Sequence, residues 1–284
     1  MIPNSFEYSA PASLSEALGL IAAGGKPLGG GMSLIPMMKL RLAAPEHLVD
    51  IGRLAELSYI RESAEGIHIG AGCTHFAVES SALLMGKCPL IAETAAYIGD
   101  IQVRNMGTIG GSVAHADPAA DYPAALQALE ATIVLKSAKK ERRVSAAKFF
   151  IDTFTTALKG DEIVSEIIVP LEAGLTGTSY QKFLQPASGF AIVGVAARVR
   201  REGGKITLIR VGVTGLSGNS FRATKVEEAL LGSAGTDAEV TAAAAHATDG
   251  ADASSDLHAS AEYRSHLARV YTARAINAAL SRTA

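Results

Sequence analysis

Three consecutive glycines, Gly29 to Gly31, separate the short run Lys26-Pro27-Leu28 from the Met-rich stretch that begins after Ser33. Lacking Cβ atoms, such a stretch lets main-chain N–H groups converge and lets a ligand or another chain segment lie directly on the backbone. The flanks read as a strand ending at the glycines, a helix from about Ser33 to Leu42, and a second strand at His47 to Ile51. A strand-turn-helix-strand unit is the signature of a parallel sheet. A second glycine turn stands at Thr108-Ile109-Gly110-Gly111-Ser112. Either turn alone fits an ordinary loop or an anion cradle; two in one region fit a pyrophosphate with two faces to hold. Neither has the G-x-G-x-x-G spacing of a dinucleotide fold, and neither is followed by the Gly-Lys-Ser/Thr of a P-loop. A nucleotide held here is held in another way.

The rest of the chain reads as mixed helix and sheet. Ser13-Leu14-Ser15-Glu16 has the capping-box pattern and opens a helix to about Ala23, stopped by Gly24 and Gly25. After Arg53 come short strands in "LSYIRE" and "GIHIGAG", then helices around Phe76 to Met85 and Leu90 to Gly99. Strands follow near Thr132 to Lys136 and Glu162 to Pro170. Beyond Thr178 two apolar strands joined by Gly203-Gly204 give a hairpin signal, and the Ala-rich remainder is helical. In the last helix Tyr263, Leu267, Val270 and Tyr271 share a face. "AGLTG" at Ala173 to Gly177 reads as a linker, placing one domain at 1–176, with subdomains at about 1–55 and 56–176, and a second at 177–284. The 284 residues suffice for both cores.

Composition excludes several classes of function. No apolar run approaches the roughly 18 residues of a membrane span, and the N-terminus has no basic leader followed by an apolar core, so a cytoplasmic protein is expected. A net charge of −2 with scattered Lys and Arg provides no footprint for nucleic acid. Two cysteines, Cys73 and Cys88, are too few for a four-cysteine iron–sulfur cluster, so redox chemistry must come from a bound group. No histidine pair has metal-ligand spacing, and no G-x-S-x-G elbow provides a nucleophile. Neither a metal ligand nor a catalytic residue is expected in this chain. After the second turn, Asp117 and Asp121 stand four apart and would share a helical face; a carboxylate there could accept from ribose or ribityl hydroxyls, or serve only as a helix-start carboxylate.

These motifs together resemble the FAD-binding medium subunit of the molybdenum hydroxylases, the xanthine dehydrogenase and carbon monoxide dehydrogenase family. "GGGMSL" at Gly29 to Leu34 is similar to the family's first flavin motif, and "TIGGS" at Thr108 to Ser112 to its second. "GAGCTH" at Gly70 to His75, "ADPAADYPAAL" and "SAEYRSHLARV" resemble further family segments, so the likeness spans nearly the whole chain. One departure is Met32, where a polar side chain is common.

The resemblance implies an α+β protein: a two-part FAD-binding domain of the vanillyl-alcohol oxidase (PCMH-type) superfamily, then a smaller C-terminal domain of antiparallel sheet and helices. It implies FAD with its pyrophosphate between the glycine turns. The residues implied at the cofactor are Gly29, Gly30, Gly31, Met32, Ser33, Leu34, Thr74, Thr108, Ile109, Gly110, Gly111, Ser112, Asp117, Asp121, Lys182 and Phe190. Among them, Gly29 to Ser33 and Thr108 to Gly111 are expected to donate to phosphates, Asp121 to hold hydroxyls, and Lys182 and Phe190 to lie near the isoalloxazine. The implied partners are a small subunit with two [2Fe–2S] clusters and a large molybdopterin subunit, in a dimer of heterotrimers, with an external electron acceptor. A stand-alone flavin oxidoreductase and a non-enzymatic nucleotide-binding module remain alternatives on the same turns.

Overall fold

The computed structural model describes residues 2–172 and 175–283. Its elements, in order, are β1 (Glu7–Ser9), α1 (Leu14–Ala22), β2 (Lys26–Leu28), α2 (Leu34–Lys39), β3 (His47–Asp50), β4 (Ile60–Ser63), β5 (Gly66–Gly70), α3 (His75–Glu79), α4 (Ala82–Lys87), α5 (Pro89–Ala96), α6 (Ile101–Met106), α7 (Ile109–His115) and α8 (Tyr122–Ala128). Then follow β6 (Thr132–Lys136), β7 (Glu141–Ser145), α9 (Ala146–Phe149), β8 (Phe150–Asp152), β9 (Thr155–Thr156), β10 (Ile163–Val169), β11 (Thr176–Leu184), β12 (Ala191–Glu202), β13 (Lys205–Thr214), β14 (Phe221–Arg222), α10 (Thr224–Leu230), α11 (Asp237–Ala244) and α12 (Ala261–Ser281).

Three larger sheets and the two-stranded β8–β9 sheet organise these elements among the described residues. The expected parallel unit is present as β1-β3-β2, with Leu28 opposite Asp50 where the chain leaves β2 for the glycines. A five-stranded sheet, β4-β5-β10-β6-β7, pairs antiparallel throughout. Helices α3, α5, α7 and α8 bury Val78, Leu90, Ile91, Ile109, Val113 and Leu126 in the same core as its apolar residues. The C-terminal sheet, β11-β12-β13-β14, contains the expected hairpin across Gly203-Gly204 and packs against α12.

α12 meets this sheet closely because its inward face is mostly small: Ala268, Ala275 and Ala279 are buried with Ile276. A methyl group on Gly177 would lie 1.9 Å from the Ala279 carbonyl, so only glycine lets β11 pass there. The expected apolar face is partly right. Leu267 is buried and Tyr271 packs on Phe183, but Tyr263 stays 44% exposed at the edge of the contact.

Several expectations change. Ser13 accepts from the Glu16 amide at 3.2 Å, but the Glu16 carboxylate takes the Ala12 amide instead of closing the box on Ser13. The helix after the first turn ends at Lys39, three residues short, and the stretch expected to be helical from Phe76 to Met85 is two helices broken at Ser80 and Ser81. Asp117 and Asp121 do not share a helical face. Ala116 ends α7 in a left-handed conformation (φ 49°), Asp117 folds back to accept the Ala119 amide, and Asp121 directly precedes α8. Of the linker segment, residues 173 and 174 lie outside the described residues, while Thr176 and Gly177 already belong to β11.

Candidate functional site

The parallel sheet delivers the first glycine turn onto the junction of α6 and α7. A Cβ on Gly30 would lie 1.8 Å from the Met106 carbonyl, and one on Gly29 would lie 3.0 Å from Thr108 Oγ1. Gly31 takes φ +71°, which a side chain would strain. The main-chain N–H groups of Gly29, Gly30, Gly31, Met32 and Ser33 find no acceptor among the described residues, and the Ser33 hydroxyl makes no capping bond to α2. All five residues keep some solvent exposure. Successive donors on a glycine backbone form a cradle for an anion, and the pyrophosphate of FAD suits it.

The second turn behaves differently. The amides of Ile109 and Gly110 donate to the carbonyls of Cys73 (3.0 Å) and Ala71 (2.9 Å). The Gly111 amide donates to Thr108 Oγ1 at 3.1 Å, and the Ser112 amide to the Thr108 carbonyl at 3.0 Å. Three amides expected to donate to phosphate, those of Ile109, Gly110 and Gly111, are therefore engaged within the protein. Gly110 is glycine for packing: its Cβ would lie 2.4 Å from that of Ala71. What this turn leaves open is Gly111, which is exposed, and Ser112, which is half-buried. Thr74 pairs across an antiparallel bridge with Thr108 and caps α3 through the Ala77 amide, so it braces the turn from behind.

Asp121 and Lys182 are brought together. Lys182 Nζ lies 2.9 Å from the Asp121 carboxylate and donates to the Tyr97 carbonyl at 3.0 Å, while the Tyr180 hydroxyl donates to Asp121 at 2.5 Å. Both side chains are buried. Burial pushes the Asp121 carboxyl up against the pull of Lys182, and it pushes the Tyr180 hydroxyl well above its ordinary range. Asp121, expected to meet FAD hydroxyls, and Lys182, expected beside the ring, thus have partners already. Phe190 is exposed at the end of the loop after β11, and neighbouring Gly189 approaches Gly99 at the turn before α6. Met32 is exposed and Leu34 half-buried; Asp117 is held in its own turn.

Sequence reasoning missed α6, although Asp100 before Ile101 and Gly107 after Met106 are cap signals at its two ends. The Asp100 carboxylate accepts the Val103 amide at 2.9 Å, and Arg104 ties the helix to Glu79 and to the carbonyls of Ile98 and Gly99. His75 was also missed as a support. It is buried beneath the turn, with Gly107 against its ring and Tyr122 3.3 Å from Nδ1. Burial, with the nearby Arg104 charge, lowers its pKa to about 4, so the ring is neutral at pH 7. Among the described residues no three His, Cys, Asp or Glu side chains converge as metal ligands, and no helix is long and apolar enough to cross a membrane.

Comparison with known proteins decides the family. The family described as the FAD binding domain in molybdopterin dehydrogenase matches residues 4–172, and that described as the CO dehydrogenase flavoprotein C-terminal domain matches 178–279. The chain belongs to this family. As a medium FAD subunit of the molybdenum hydroxylase group it is an oxidoreductase component, and its cofactor is FAD. It is 42% identical, over 100% of both chains, to the carbon monoxide dehydrogenase medium chain of Hydrogenophaga pseudoflava. It is 39% identical to the glyceraldehyde dehydrogenase medium chain of Sulfolobus acidocaldarius, over 97% of this chain and 98% of that one. Among solved structures, a chain of quinoline 2-oxidoreductase from Pseudomonas putida 86 matches with a TM-score of 0.94 and 31% identity over 100% of both chains. The fold is accordingly the two-part FAD-binding domain with its C-terminal domain.

Proposed function

We propose that this medium subunit seats the pyrophosphate of FAD on the amides of Gly29 to Ser33, accepts electrons from [2Fe–2S] clusters on a small partner subunit, and passes them to an external acceptor. The observation that carries the reading is the run of five main-chain donors with no acceptor among the described residues, in a turn pressed onto Met106 and Thr108. Bound FAD supplies the capacity to take two electrons and release them one or two at a time. The chain's own residues place it. Gly111 and Ser112 lie in the first turn of α7, beside the Thr108 hydroxyl that Gly29 also approaches; the ring end is assigned to Phe190, whose neighbour Gly189 approaches Gly99, and to Lys182, which is held by Asp121 and the Tyr97 carbonyl.

The cysteines support a division of labour. Cys73 and Cys88 are both buried, and burial raises both thiols, Cys88 to about 12, so neither is a thiolate ready to hold iron. The clusters belong on another chain, and the hydroxylated substrate on a large molybdopterin subunit. The relatives named for carbon monoxide, glyceraldehyde and quinoline agree with that placement, since one flavin-subunit fold accompanies three different substrates. The reading extends to a dimer of heterotrimers in the cytoplasm and to a domain boundary near residue 176.

The test is an absorption spectrum of the purified chain, acid release and chromatography of the chromophore, then stopped-flow mixing with the reduced iron–sulfur partner. Released FAD that the partner reduces is the expected result. No flavin after incubation with excess FAD overturns the site, and NADH oxidation by the chain alone at the rate of the complex overturns the electron-relay role.

A further inference from the structure

The β4–β5 hairpin carries a serine that the flavin cradle does not use. Ser63 closes β4 and is exposed; Ala64 and Glu65 make the turn, and Gly66 opens β5 opposite Ser63. Side chains alternate between faces along a strand, so Tyr59, Arg61 and Ser63 share one face, and the register sets His68 opposite Arg61 on it. Glu166 reaches the same face from β10. Ser63 Oγ lies 2.8 Å from His68 Nε2, and His68 Nδ1 lies 3.0 Å from Glu166 Oε1, at an angle too bent for a hydrogen bond. Both His68 and Glu166 are buried. The Tyr59 hydroxyl donates to the other Glu166 oxygen at 2.6 Å, and Arg61 stands 3.7 Å from that oxygen. Burial pushes the Glu166 carboxyl up, but Tyr59, His68 and Arg61 together hold it below the ordinary carboxylate range.

A hydroxyl, an imidazole and a carboxylate in this order make a nucleophile, its base and the group that orients the base. The ring nitrogens are the ones such a relay needs. A carboxylate beside Nδ1 keeps the proton there and leaves Nε2 to accept from the serine. The Glu65 amide donates to Ser63 Oγ at 3.0 Å, which fixes the oxygen and leaves its own proton for Nε2. Two further donors adjoin the serine. The main-chain amide of Ala64, next after the nucleophile, finds no acceptor among the described residues, and the Arg61 side chain is 67% exposed on the same face. Donors of both kinds stabilise the oxyanion that forms when a carbonyl is attacked.

We propose that Ser63, His68 and Glu166 form a second, hydrolytic site on this chain, with short acyl esters as its substrates. It is independent of the flavin assignment. Ser63 Oγ bonds to the ester's carbonyl carbon while His68 Nε2 takes the hydroxyl proton; the ester C–O bond then breaks, and the leaving alcohol carries that proton away. Water attacks the acyl-serine and gives a proton to Nε2, the carboxylic acid departs, and the proton returns to Ser63 Oγ. No oxidant or reductant takes part. Exposure of Ser63, Ala64 and Glu65 suits a short acyl chain.

The test is reaction of the full chain, carrying its flavin, with a fluorophosphonate probe mapped by peptide mass spectrometry, alongside steady-state hydrolysis of phenyl acetate. Exposed Ser15 and Ser255 are the internal references. The expected result is modification of Ser63 about 100-fold faster than of either reference, with that advantage lost in His68→Gln and reduced in Glu166→Gln. Phenyl acetate hydrolysis should be lost in Ser63→Ala. Labelling of Ser63 no faster than of Ser15 and Ser255 overturns the site, and so does hydrolysis that is unchanged in Ser63→Ala. Equal labelling rates in the parent and a folded His68→Gln overturn the relay. Urea unfolding checks that variant, because His68 is buried; where it does not fold, the parent's labelling ratio and Ser63→Ala, changed at an exposed position, decide the proposal.

Discussion

Gly30 and Gly110 are both glycines in a flavin motif, yet different demands keep them so. Gly30 lets its own turn rest on the Met106 carbonyl, whereas Gly110 lets α7 rest on Ala71. Gly110→Ala is expected to cost about 1–3 kcal/mol through overpacking, measurable by urea unfolding of flavin-free protein; a purely phosphate-facing glycine would show no such loss without flavin. His75 adds a pH dependence. Its folded pKa of about 4 lies below the ordinary histidine value of about 6.5, so the unfolded state binds the proton first and stability declines as pH falls through that window. The full effect is about 3 kcal/mol, and His75→Gln is expected to flatten the dependence of unfolding free energy between pH 7 and pH 4. Both residues could be singled out in the sequence by their closeness to the motifs. Their actual neighbours, Ala71 and Tyr122, come from other segments, and no local pattern names them.

Among the elements, the short helix α6 matters more to the site than its length suggests, because its C-terminal carbonyl supports Gly30. Asp100 holds its first turn through the Val103 amide, and Asp100→Ala is expected to destabilise the protein by about 1 kcal/mol. The same variant should weaken FAD binding by shifting Met106, which flavin titration of the purified variant would reveal; unchanged binding would show that the cradle does not depend on α6. The parallel sheet, the β12–β13 hairpin and α12 were legible because hydrophobic periodicity and turn glycines act locally. The β7 strand and the β8–β9 hairpin were not: β7 is mostly polar and exposed on one face, and β8 and β9 are too short to show a period.

Across the whole molecule, the buried side chains of Asp121, Tyr180 and Lys182, with Lys182 also donating to the carbonyl of the more exposed Tyr97, tie the helical layer after the five-stranded sheet to the C-terminal sheet. Lys182→Met leaves the Asp121 carboxylate buried without its cation, and the expected cost is about 3–5 kcal/mol. Adding Asp121→Asn should recover part of that loss, so the double variant should be more stable than the sum of the singles; strict additivity in denaturant unfolding would show that the pair does not act as a unit. The chain's amino acids, taken in order, settled most of the longer strands and helices, where backbone had to be bare, and which family of flavin subunits it belongs to, because these are matters of local period, turn chemistry and motif spacing. Which glycine amides stay free for a ligand, and which charged side chains turn inward to each other, emerged only on folding. Those outcomes depend on acceptors and counter-charges that lie 61 residues away for Asp121 and Lys182, at a separation where no sequence period carries information.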